Sequence, residues 1–145
     1  MKKTETFEIG GSKYNITQLG GTEGSAFYYE LVKALGPTIR GKLENYKDLL
    51  ALEGKDETAS SVALMSLFLE VYEALPLDLV SRLQTAFAKT TEVKMGDIMI
   101  GLSTGDIFDQ HFAGKYEAMM QWLFACLKFN FVGFLGSKAK GGASG

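Results

Sequence analysis

Apolar and polar positions alternate along this chain with two different periods. Thr6-Phe7-Glu8-Ile9 and Tyr14-Asn15-Ile16-Thr17 switch at every residue, the period of a half-buried strand. Gly10-Gly11-Ser12-Lys13 lies between them, which predicts a hairpin with a glycine-rich turn. After Gly20-Gly21 the period lengthens. Thr22 is placed to cap a helix over about Glu23 to Leu35, and Gly36-Pro37 is expected to stop it. A second helix is expected over Pro37 to Leu52, through Ile39, Leu43, Tyr46, Leu49 and Leu50. A third, over Glu57 to Leu75, carries Val62, Met65, Leu69 and Tyr72 on one face, with Leu64, Phe68 and Val71 alongside. Pro76 ends it, and Leu79, Leu83, Ala86 and Phe87 give a fourth helix, Leu77 to Ala88, its apolar face. Thr90 to Met95 then reads as a strand that turns at Gly96-Asp97 and returns over Ile98-Met99-Ile100. This second hairpin gives the first one a partner for a small sheet.

The last apolar stretch, 106–135, follows a Ser103-Thr104-Gly105 loop and differs from an ordinary surface helix. Tyr116, Met119, Met120, Leu123, Phe124, Leu127, Phe131 and Phe134 recur at steps of three and four. Trp122, Cys126, Phe129 and Val132 cover much of the opposite side, whereas a surface helix carries one apolar stripe. Such a helix is buried deeply, lies in a membrane, or holds a partner. Lys115, Glu117, Gln121, Lys128 and Asn130 interrupt the stretch, so a membrane span is not expected. The aromatic set Trp122, Phe124, Phe129, Phe131 and Phe134 therefore has two readings, plain core and partner surface. Adjacent Met119 and Met120 cannot both face one core. The expectation is a mixed role. Leu123, Leu127 and Phe131 pack inside, while Trp122 and Phe129 stay partly exposed in a monomer or covered in an oligomer. The expected partner-binding residues are Met119, Trp122, Phe129 and Phe134.

The fold class expected is mainly α (α+β), about five helices with one or two small hairpins. One domain is expected over 1–135, and the small-residue tail 136–145 is expected to be flexible. A length of 145 residues is enough to build a core without a metal or disulfide. A net charge of −2, from 15 basic and 17 acidic side chains, gives no electrostatic case for nucleic acid or an anionic membrane. Cys126 is the single cysteine, so no intrachain disulfide can form, which fits a reducing compartment. No apolar run follows the lysines of MKKTETFEIGG, so no signal peptide is expected.

Reactive chemistry is sparse. His111 is the only histidine and lies near Asp106 and Asp109, but it has no second ligand and no nucleophile, which points to a structural hydrogen bond. Cys126, among Phe124, Leu127 and Phe129, reads as an inert core thiol. Gly10-Gly11 and Gly20-Gly21 match no phosphate-binding fingerprint and read as turns. Glu70 and Glu73 share a helical face but read as solvated. No enzyme, cofactor or metal site is expected.

Three places resemble the phage tail assembly chaperones of long-tailed bacteriophages and prophages. They are the N-terminal FEIGGSKYNITQL, the segment Gly105 to Lys115 (GDIFDQHFAGK), and the helix end Leu127 to Leu135 (LKFNFVGFL). With the order of elements, the resemblance covers most of residues 5–135. It implies a small, mostly helical protein of the bacterial host cytoplasm that has no catalytic motif. It also implies binding to the long tape measure protein, whose hydrophobic helices are kept soluble, and help for tail tube subunits assembling around it. The finished virion would then lack the protein. Many such chaperones also exist in a longer, frameshifted form, and the tail after Gly136 suits such a junction. A homo-oligomer is compatible with this reading. The competing reading is a structural virion component, such as a tail-completion or connector subunit. An enzyme built on His111 ranks last.

Overall fold

The computed structural model describes residues 2–52, 66, 68–70 and 72–132, with side chains over 2–36, 66, 68–70 and 72–131. Among the described residues the fold is mixed α+β, with five helices and one four-stranded antiparallel sheet. In chain order these are β1 (Thr4–Ile9), β2 (Ser12–Thr17), α1 (Gly21–Leu52), α2 (helical at 66, 68–70 and 72–74), α3 (Leu77–Lys89), β3 (Thr91–Met95), β4 (Ile98–Gly101), α4 (Ile107–Phe112) and α5 (Tyr116–Leu127). A π-helical turn, Lys128–Val132, extends α5. The chain divides into two compact units, one of Met1–Ser25 with Ser81–Gly145 and one of Ala26–Val80. The expected tail, 136–145, lies outside the described residues.

In the first unit both hairpins form as the alternation predicts, and they join. The strand order is β1-β2-β3-β4, with Tyr14 opposite Val93 and Ile16 opposite Thr91 across the central pair. The first turn is tighter than expected. Ser12 and Lys13 belong to β2, because Gly10 (φ 58°) and Gly11 (φ 82°) alone complete a two-residue reversal. Both positions need positive φ, which glycine adopts without a Cβ penalty. One sheet face carries Tyr14, Ile16, Thr91 and Val93, all buried. The other is polar: Thr4 and Thr17 hydroxyls are 2.8 Å apart, and Thr6 donates to Asn15 Oδ1 at 2.7 Å.

The apolar face of the sheet meets the rest of this unit's core. That core includes Leu83 and Phe87 of α3, Phe112 of α4, and Trp122, Leu123, Cys126 and Leu127 of α5. Phe131 in the π turn is also buried, so Leu123, Leu127 and Phe131 pack inside as expected. The last apolar stretch is interrupted. α4 ends at Phe112, Gly114 takes φ 71°, and α5 begins at Tyr116.

The second unit contains most of α1, all described residues of α2, and the start of α3. Phe27, Leu31 and Leu35 repeat every four residues along α1 and are buried. Phe68 and Tyr72 rings lie 5.8 Å apart in α2. The stop expected at Gly36-Pro37 does not occur, and α1 runs through it to Leu52. The clash that drives a residue before proline out of the helical region involves its Cβ, and Gly36 has none. Thr22 is not the cap either. Gly24 N–H donates to Gly20 O at 2.7 Å, which sets Thr22 inside the first turn. The expected apolar positions Val62, Leu64, Met65 and Val71 fall outside the described residues.

Candidate partner-binding region

Trp122 corrects the expectation most sharply. Its side chain is 0% exposed, so it is not a surface contact. The indole lies 5.5 Å from the Phe108 ring and 5.5 Å from the Phe112 ring, and Nε1 donates to Thr91 Oγ1 at 3.2 Å. Thr91 is a buried polar residue, and its hydroxyl donates to Phe87 O at 2.8 Å while accepting from the indole. A buried indole N–H needs such a partner. Helical spacing placed Trp122 opposite Leu123, but the sheet covers one side of α5 and α4 rings cover another. Two buried sides on one short helix explain why its sequence is apolar nearly all round.

Cys126 also lies in this node, fully buried and within hydrogen-bonding reach of Thr91, and burial pushes its thiol pKa strongly up. It is inert core, as expected. His111 has a structural partner: Tyr14 Oη lies 2.7 Å from its Nε2. The Tyr14 and His111 rings meet edge to face at 5.6 Å. Burial, then the nearby Lys115 charge, lower the His111 pKa from its ordinary value, so the neutral ring accepts the Tyr14 proton. Burial raises the Tyr14 pKa, which keeps that proton on the phenol. Asp106 is occupied separately, accepting from Gln110 Nε2 at 2.7 Å. Among the described residues no group of three or more His, Cys, Asp or Glu could hold a metal, and no helix is long and apolar enough to cross a membrane. Glu70 and Glu73 are exposed.

The other expected contact residues differ from Trp122. Met119 is half-buried, with its Sδ 3.8 Å from Gln84 Nε2. Phe129 is half-buried, edge-on to Phe7 with centroids 5.7 Å apart. Phe134 lies outside the described residues. Phe129 is fixed by its backbone: Gln18 Nε2 donates to Phe129 O at 3.3 Å, and the Leu19 amide donates to Asn130 Oδ1 at 2.8 Å. The Asn130 amide donates in turn to Cys126 O at 2.9 Å, satisfying a carbonyl where α-helical pairing gives way to the π turn. Asn130 and Gln18 therefore hold the end of α5 to the link between β2 and α1.

Other apolar groups in this unit are open and were missed. Met95 is 41% exposed, Ile98 61% and Tyr116 67%. Met95 and Ile98 are cross-strand partners beside the Gly96-Asp97 turn of the second hairpin. The signal was present in the alternation, since Met95 follows Thr91 and Val93 at even steps, but alternation does not tell where helical cover stops.

A protein-family model described as "Phage tail assembly chaperone protein, TAC" matches residues 10–144. No curated protein and no solved structure matches the chain. The family model spans β2 to β4, the buried Trp122 node and α5, leaving only β1 outside among the strands, and the chain belongs to the phage tail assembly chaperone protein family.

Proposed function

We propose that this protein acts in the bacterial host cytoplasm as a non-catalytic chaperone of tail assembly that holds the tape measure protein. It covers apolar helices of that protein until tail tube subunits replace it. Family membership carries the reading, and the disposition of side chains supports it. The groups able to do chemistry are committed to structure: His111 to Tyr14, and Cys126 to a closed core. The apolar groups left accessible on the last helix are adaptable ones. Met119 and Phe129 stand half-buried on α5 and its π turn, and Phe134 is retained as a third contact. Trp122 shapes this surface from beneath. A Met and aromatic surface accommodates varied apolar helices by helix-in-groove contact. Single contacts can be weak, because many copies along one long partner add by avidity.

The test compares assembling tails with finished particles. Mass spectrometry should find the protein with the tape measure protein in assembly intermediates and should not find it in purified virions. Stoichiometric retention in virions would favour a structural virion component instead.

A further inference from the structure

The two edges of the sheet are not alike. β1 carries Glu5 and Glu8, and charged side chains on an edge oppose pairing with another strand. β4 is Ile98-Met99-Ile100-Gly101, with no charge and no proline. Register fixes what this edge offers. The Leu102 amide donates to Thr91 O, and the Thr17 amide donates to Thr90 O. Antiparallel pairs alternate between bonded and non-bonded. Thr91, Val93 and Met95 therefore bond toward β4, through Ile100 and Ile98. The main-chain N–H and C=O of Met99 face away from the sheet, as does the Gly101 N–H. Among the described residues no strand pairs with that side of β4.

We infer that β4 is the dimer interface of this protein, pairing antiparallel with β4 of a second copy about a two-fold axis at Met99. The inference does not rest on the tape measure reading. An outward row of N–H and C=O groups takes an extended strand, and a second copy supplies one whose register matches this uncharged edge. With Met99 opposite its own counterpart, Ile98 faces Ile100 and Asp97 faces Gly101, so no like charges meet. The same arrangement along β1 would bring glutamates near one another. On the core-side face, exposed Ile98 gains the second copy's Ile100 as a neighbour, extending the apolar row that begins at Met95 across the axis. Bonded pairs at 99–99 and 97–101 give Met99 and Gly101 their missing partners. The interface is isologous, as a two-fold dimer requires.

The full chain, in reducing buffer, should sediment at twice 15.8 kDa at micromolar concentration. Met99→Pro removes an outward donor without touching a bond to β3, and Ile98→Lys charges an already exposed position. Each should sediment at 15.8 kDa with an unchanged circular dichroism spectrum. A cross-link guards against misfolded variants. Opposed Cα atoms of a bonded antiparallel pair lie about 5.5 Å apart, inside disulfide range. Met99→Cys should therefore form a covalent dimer under mild oxidation at least tenfold faster than Lys94→Cys, which sits one strand inward. A wild-type protein that stays at 15.8 kDa overturns the inference and leaves the edge to an extended strand of another protein. A dimer that survives both substitutions, or equal cross-linking at the two cysteines, also overturns it.

Discussion

Replacing Trp122 with alanine separates a core role from a contact role. The side chain is fully buried, touches two aromatic rings and donates one hydrogen bond. Truncating a buried Phe or Trp costs about 3–5 kcal/mol, a range that already contains lost ring contacts and cavity formation. Losing the bond to Thr91 adds little, because the Thr91 hydroxyl keeps its donor bond to Phe87 O. The expected loss is therefore ~4 kcal/mol, a large share of the roughly 5–15 kcal/mol that holds a native protein together. With a urea m-value of about 1–3 kcal/mol/M, the unfolding midpoint should fall by more than about 1 M. Far-ultraviolet circular dichroism against urea reads this directly. Trp122→Phe keeps most of the ring contact and loses the N–H, so it should cost only about 1 kcal/mol. Trp122 is the single tryptophan, so wild-type fluorescence should be blue-shifted and resist acrylamide quenching. A cost under about 1 kcal/mol for Trp122→Ala, the range of surface substitutions, would refute the packing argument and restore Trp122 as a contact residue.

Asn130→Ala removes the acceptor of the Leu19 amide and the donor to Cys126 O, and should cost about 1–3 kcal/mol in urea unfolding. Hydrogen exchange at the Leu19 amide should quicken in that variant. The folded-state pKa of His111 lies below the unfolded value of 6.5, so the unfolded chain binds more protons as pH falls. Its contribution to stability should be fully present above pH 6.5 and should be lost as pH drops below it, and a urea series from pH 7.5 to pH 5 in wild type and His111→Gln should show a shallower slope in the variant. Cys126 should react with a thiol reagent only on unfolding, at a rate that rises with urea, because the native thiol is closed off and poorly ionised.

Much of the fold was legible because amphipathic periods are local. The alternation over 6–9 and 14–17 marked β1 and β2, the Gly96-Asp97 turn between Thr90–Met95 and Ile98–Ile100 marked β3 and β4, and Pro76 marked the start of α3 at Leu77. Gly36-Pro37 misled because part of the usual veto on helix before proline acts through a Cβ that glycine lacks. Trp122 misled for a different reason. A helical wheel separates sides of a helix but not their neighbours, and α5 is covered by both the sheet and the rings of α4. The Thr91 hydroxyl that completes the Trp122 site is 31 residues away in sequence, a pairing that periodicity does not register. His111 shows the same limit: nearby carboxylates were its visible partners, yet Tyr14, 97 residues away, is the real one. Phe129 was legible as partly exposed, whereas for Met119 the pattern said only that it and Met120 cannot share one core, and its partial burial depends on where the cover of Gln84 ends.

The most direct measurement of the chaperone proposal is the solubility of the tape measure protein on co-expression. With the wild-type protein, most of the tape measure protein should appear in the soluble fraction and co-purify. With a Met119→Ser and Phe129→Ser double variant, whose own unfolding midpoint should remain close to wild type, it should pellet. A tape measure protein equally soluble in the absence of this protein would contradict the proposal.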